Sequence, residues 1–150
     1  MTTEIVFQLS NVLVLPFWIL LIGAPHWKVT RRIFDGWLFI VPITLLYSIV
    51  VLPGFVALLP TLMNPSLAGI SALLSSPTGA TAAWIHFLAF DLWTGRWVFH
   101  DSQSRPLHPL LRACCLLAVF MAGPFGLLLY LSLRAATGDR TDATDRSTSV

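Results

Sequence analysis

His86, Asp91 and Arg96 stand five residues apart in Ala83-Trp84-Ile85-His86-Phe87-Leu88-Ala89-Phe90-Asp91-Leu92-Trp93-Thr94-Gly95-Arg96-Trp97, a run otherwise apolar except for Thr94. An Asp or Arg in lipid costs at least about 2.5 kcal/mol on insertion scales, so each is a functional candidate by default. For Asp91 the choice lies between catalysis or ligand contact and a polar bond that fixes neighbouring helices. His86 reads either as a reactive imidazole or as a neutral ring bonded to Tyr47 or Ser48, which fall at similar depth on the preceding helix. Arg96 reads as a substrate clamp or as an anchor reaching the headgroups. Asn11 is a weaker candidate for the same polar interior.

A regular helix turns about 100° per residue, so each five-residue step rotates the side chain by about 140° and the three groups point in different directions. One π-bulge would bring an i, i+5 pair together. His86, Phe90, Trp93 and Trp97 instead recur at i, i+4, i+7 and i+11 and form one stripe. That stripe is either packing with an inner aromatic belt or the wall of a slot for a long conjugated or isoprenoid ligand.

These residues need a membrane-crossing helix to carry them, and the composition provides for one. The 150-residue chain is 56% hydrophobic and 11% charged, with a mean hydropathy of +0.78. From Gly36 to Phe90 there is no Asp, Glu, Lys or Arg, and that stretch exceeds the two segments of roughly 20 residues that two crossings require. The expected class is all-α, an integral membrane four-helix bundle in residues 1–134, with helices at about 5–22, 36–59, 78–99 and 110–133. Pro42 and Pro53 should bend the second helix. The uncharged, breaker-rich segment from Pro60 to Pro77 should lie along the outer interface. Gly123, Pro124 and Gly126 allow a kink or a close approach in the fourth helix, and the polar tail 135–150 is expected to be disordered.

Glu4 and no basic residue precede the first apolar run, the reverse of a signal peptide, so the first helix should be retained with its amino end outside. Lys28, Arg31 and Arg32 occupy the first connection and Arg105 and Arg112 the third, against none in the second, which places the first and third inside. Both termini then face out, although Arg134, Arg140 and Arg146 pull the other way.

Several classes are disfavoured. Cys114 and Cys115 cannot build a disulfide framework or a zinc knuckle and read as small core residues. His26, His86, His100 and His108 contain no His-x-x-His or His-x-x-x-His pair, which argues against membrane di-iron chemistry. No Gly-rich phosphate loop or Gly-x-Ser-x-Gly elbow occurs, so no metal or cofactor is expected. The basic residues form loop clusters and not a basic face, so nucleic acid is not an expected partner. Asp35, His100 and Asp101 read as solvated or capping groups of the inner loops.

The run from Trp84 to Trp97, followed by Val98-Phe99-His100-Asp101-Ser102, resembles the signature of the ABA4-like family. Leu15-Pro16-Phe17-Trp18, and Ala24-Pro25 before Thr30-Arg31-Arg32, resemble that family's first helix and loop. The similarity covers roughly residues 5 to 134, with the third-helix motif as its specific part. It implies a small four-helix membrane protein of xanthophyll metabolism, in which violaxanthin becomes neoxanthin as a 5,6-epoxide rearranges to an allenic alcohol without net redox change. Such chemistry needs an acid near the epoxide oxygen and a base near the C7 hydrogen in an apolar slot. Carried over, Asp91 would be the base or acid, His86 its complement and Arg96 an orienting group, with Phe90, Trp93, Trp97, Tyr47 and Asn11 contacting the ligand. No plastid transit segment is expected. The chain resembles a bacterial member, multi-pass in the inner membrane with both termini periplasmic, whose substrate is this or another carotenoid or terpenoid.

The expectation is therefore a carotenoid- or isoprenoid-binding membrane protein that isomerises its ligand in the manner of a neoxanthin synthase. The alternative is a non-enzymatic subunit or scaffold of a pigment or biosynthetic complex, either a homo-oligomer or bound to a pigment protein. A small transporter is weaker, because no inverted repeat is detectable and four helices form a pathway only after oligomerising.

Overall fold

The computed structural model describes residues 2–137, so the expected disordered tail lies outside the described residues from position 138 onward. The described residues are all-α. The helices are α1 (Thr3–Gly23), α2 (Lys28–Asp35), α3 (Val41–Val51), α4 (Phe55–Met63), α5 (Leu67–Ser75), α6 (Pro77–Gln103) and α7 (Pro109–Thr137), with one 3-10 turn at Leu52–Gly54 between α3 and α4. Three stretches are long and apolar enough to cross a membrane: Thr3–Gly23, Val41–Met63 and Pro109–Thr137. The 27 residues of α6 would extend about 40 Å, but no stretch of it is apolar enough to join that set.

The second apolar run starts later than its composition suggests, because residues 36–40 form turns and the helix begins at Val41. Pro42 does not bend this helix. It occupies the first turn of α3, where a missing N–H leaves no bond unmade. Pro53 does interrupt the run, as the expected bend, within the 3-10 turn that separates α3 from α4. The segment from Pro60 to Pro77 is more regular than expected, forming the end of α4 and the whole of α5. Ser66 opens α5 by accepting from the Gly69 N–H at 3.1 Å, and Ser76 does the same for α6 with Gly79 at 3.0 Å, each supplying a partner for an otherwise orphaned amide.

Helix α2 was not foreseen. Its Thr30 and Phe34 are buried while Lys28, Arg31 and Arg32 are exposed, and the Thr30 hydroxyl donates to the Ala24 carbonyl at 2.8 Å. A short amphipathic helix therefore stands where a plain basic loop was expected.

The chain forms two compact units. Among the described residues, one joins those up to Pro16 with Trp37–Ala89, and the other joins Phe17–Gly36 with those from Phe90 to Thr137. Val14, Ile43, Leu46, Ile85 and Leu88 are buried in the first unit, and Leu21, Phe34, Leu92, Phe99, Leu116 and Val119 in the second. Cys115 is buried in the second unit, but Cys114 is exposed, so only one of the pair is a core residue.

Helix α7 departs furthest from the expectation of a fourth crossing. Ala122 leaves helical geometry, with φ −155° and ψ 68°, and divides α7 into arms 109–121 and 123–137. Pro124 favours the break because its ring cannot donate back along a continuous helix. In a straight helix Val119 and Gly126 would be about 10.5 Å apart along the axis, yet a Cβ on Gly126 would overlap the Val119 amide nitrogen and the backbone of Ala118. The second arm has folded back onto the first. Other contacts agree: Trp18 packs on Phe120 of the first arm with ring centroids 5.2 Å apart, whereas Arg134 at the end of the second arm lies 3.2 Å from Asp101 of α6. An unbroken α7 would carry Arg134 about 33 Å from Arg112, away from the end of α6 that Asp101 marks.

Candidate functional site

In the first unit, α3, α4, α5 and the amino-terminal half of α6 line a half-open apolar cavity of about 480 Å³. Val50, Leu58 and Leu73 contribute aliphatic wall, and Ala82 and Ala83 leave room because their side chains are small. Tyr47 and His86 bring titratable groups to the lining, with ring centroids 5.8 Å apart. The volume falls within the ~300–1,000 Å³ typical of small-molecule sites, and an apolar wall with few polar groups is their usual composition. Ser48, the other partner foreseen for His86, instead donates to the Thr44 carbonyl at 2.9 Å.

Asn11 is also in this unit, but it clasps two helices. Its Oδ1 accepts from Trp84 Nε1 at 3.0 Å, and its Nδ2 donates to the Phe7 carbonyl at 2.9 Å. It does not line the cavity.

The second unit holds Asp91 and Arg96. The Asp91 carboxylate rests against Gly123 at the tip of the α7 hairpin, where a Cβ would collide with Oδ1. Arg96 Nε donates to the Phe34 carbonyl at 2.6 Å, and His100 Nε2 lies 2.9 Å from the same oxygen. The carboxyl-terminal carbonyls of a helix lack partners within it and attract cations, so Arg96 and His100 together terminate α2. The Arg96 guanidinium also lies 5.3 Å from the Trp93 ring centroid. Along the aromatic stripe Phe90 and Trp93 are exposed, at 60% and 47%, while Trp97 stands edge-on to Tyr130 at 5.6 Å. His86 is the stripe member that reaches the cavity.

Asp101, expected to be solvated or capping, is the hub of a polar cluster. Its Oδ2 accepts from Arg105 Nε at 2.8 Å and from the Tyr130 hydroxyl at 2.5 Å. Arg134 approaches within charge-pair distance without hydrogen-bond alignment. The i, i+4 spacing of Asp101 and Arg105 was a usable signal, but the Tyr130 and Arg134 contacts exist only because α7 turns back.

A family model described as ABA DEFICIENT 4-like matches residues 5–130. The chain belongs to this ABA4-like family. Among curated proteins, Protein ABA DEFICIENT 4, chloroplastic, of Arabidopsis thaliana is 30% identical over 118 residues, covering 71% of this chain and 52% of that protein. The match thus spans about half the length of the plant relative. No solved structure matches the chain. Within the family match fall both units' candidates, from Asn11 to Asp101.

Proposed function

We propose that this chain is a membrane protein of carotenoid metabolism that takes one end group of a xanthophyll into the cavity lined by Tyr47 and His86 and isomerises it there. The apolar cavity with two titratable groups on its wall is the observation that carries this reading, and family membership supports a carotenoid as the substrate class. A long isoprenoid would leave the remainder of its chain in lipid. On a 5,6-epoxide end group, loss of the C7 proton lets that electron pair form the C6–C7 double bond while the C6–O bond breaks and the oxygen takes up a proton. Reactant and product are isomers, so neither oxidant nor reductant is consumed.

In this proposal His86 exchanges the proton at carbon and the Tyr47 hydroxyl serves the oxygen. Asp91 and Arg96 move from the roles implied by the resemblance to positioning ones, because Asp91 abuts Gly123 and Arg96 holds the end of α2. Expressed in a violaxanthin-producing host, the wild-type chain should increase the allenic product. His86→Ala should reduce that increase by about a hundredfold, the scale of losing a general acid–base group. Equal product from His86→Ala at equal protein level would refute the assignment.

The exposed Phe90 and Trp93 support a second reading, a non-enzymatic subunit that presents an aromatic surface to a pigment complex. Carotenoid bound without any product formed would favour it.

The membrane arrangement we propose keeps α1, the α3–α4 stretch and α6 as crossings and makes α7 a re-entrant hairpin, since arms shorter than a span are tolerated at depth when packed on protein. This replaces the fourth crossing and moves the carboxyl end to the basic side. A topology reporter placed after Thr137 should read the same side as one inserted in the 104–108 loop; opposite sides would contradict the hairpin.

A further inference from the structure

Arg112 lies in the first turn of α7 and is only 7% exposed. Its Nη2 is 3.3 Å from His26 Nε2, and Arg31 of α2 is near enough to act on it as a like charge. Among the described residues no carboxylate comes within ion-pair distance of Arg112. Three unfavourable circumstances therefore coincide on one guanidinium: burial, a neighbouring cation, and the positive end of a helix dipole. An imidazole nitrogen offsets none of the charge. An anion seated between His26, Arg31 and Arg112 would offset all three effects, and a phosphate oxygen pair matches the guanidinium fork.

The surroundings indicate where that phosphate comes from. Trp27 is 55% exposed, and Leu110 and Leu111 are 65% and 44% exposed, so apolar side chains flank the cationic group, while Lys28 and Arg32 remain exposed. Tryptophan beside basic residues is the pattern of a membrane–water interface. We propose that His26, Arg31 and Arg112 form a phosphate site that holds the headgroup of an anionic lipid where α2 meets the start of α7. The site does not depend on the carotenoid reading.

The test uses the full chain, delipidated in neutral detergent, with thermal unfolding followed as phosphatidylglycerol, phosphatidylcholine or inorganic phosphate is added. Phosphatidylglycerol should raise the unfolding temperature saturably, inorganic phosphate should do so only at far higher concentration, and phosphatidylcholine should not. Arg112→Gln should abolish the response. The exposed variant Arg31→Gln, which leaves the buried packing intact, should raise the half-saturating lipid concentration about tenfold, as expected for loss of one charge-assisted bond. An equal response to the two lipids, or Arg31→Gln responding like the wild type, would overturn the site. Inorganic phosphate acting as strongly as phosphatidylglycerol would assign it to a free anion and overturn the lipid source.

Discussion

Gly126→Ala is expected to lower stability by about 3 kcal/mol, or to undock the second arm of α7 altogether, as read by thermal unfolding in detergent. The added methyl meets backbone atoms of Ala118 and Val119, and backbone cannot step aside as a flexible side chain can. Overpacking of this kind costs about 1–3 kcal/mol, which outweighs the gain of up to about 1 kcal/mol that alanine brings to a helix. Gly23→Ala provides the control, because no atom lies within 4 Å of a Cβ at that position; it should be neutral or slightly stabilising. Equal behaviour of the two variants would mean that the arms of α7 are not in contact. Gly123→Ala should destabilise less, since it meets the movable carboxylate of Asp91, and Asp91→Ala in the same chain should restore most of the loss.

Asp101→Asn is expected to cost about 3 kcal/mol. The Arg105 side chain is 6% exposed, so neutralising Asp101 takes away the carboxylate 2.8 Å from a buried cation, a change toward the lower end of the about 3–5 kcal/mol that breaking a buried pair costs. The Arg134 contribution is small, because its side chain is 41% exposed and solvent screens such pairs to about 1 kcal/mol or less. Tyr130→Phe deletes one bond to the same carboxylate and should cost about 1.5 kcal/mol. Chemical denaturation of the three variants checks the order Asp101→Asn, then Tyr130→Phe, then Arg134→Gln. A larger loss for Arg134→Gln than for Asp101→Asn would contradict it.

The sequence carried the helical, lipid-compatible character of the chain, because uninterrupted apolar runs leave little choice. It also made His86, Asp91 and Arg96 of α6 stand out as candidates, since charge inside an apolar run is visible without coordinates. The direction of the chain after Gly123 was not legible. Composition reports that 109–137 can cross a membrane, but whether a Gly-Pro pair bends a helix or reverses it depends on partners far away, here Asp91 and Asp101. The cavity was hidden for a related reason. Ala82 and Ala83 are unremarkable letters until α3, α4 and α5 close around them, and periodicity alone favoured the aromatic stripe, of which only His86 reaches the cavity wall. Arg112 escaped notice as one of several loop cations, although its place in a helix's first turn was a discoverable anomaly.

The most direct measurement is the carotenoid content of the chain purified from a carotenoid-producing host, compared with that of Ala83→Leu, which adds bulk to the cavity wall while keeping both Tyr47 and His86. Pigment retained in stoichiometric amount by the wild type and lost from Ala83→Leu at equal thermal stability is the predicted result. A wild-type chain that purifies without carotenoid, or a filled variant that retains as much, would contradict the account.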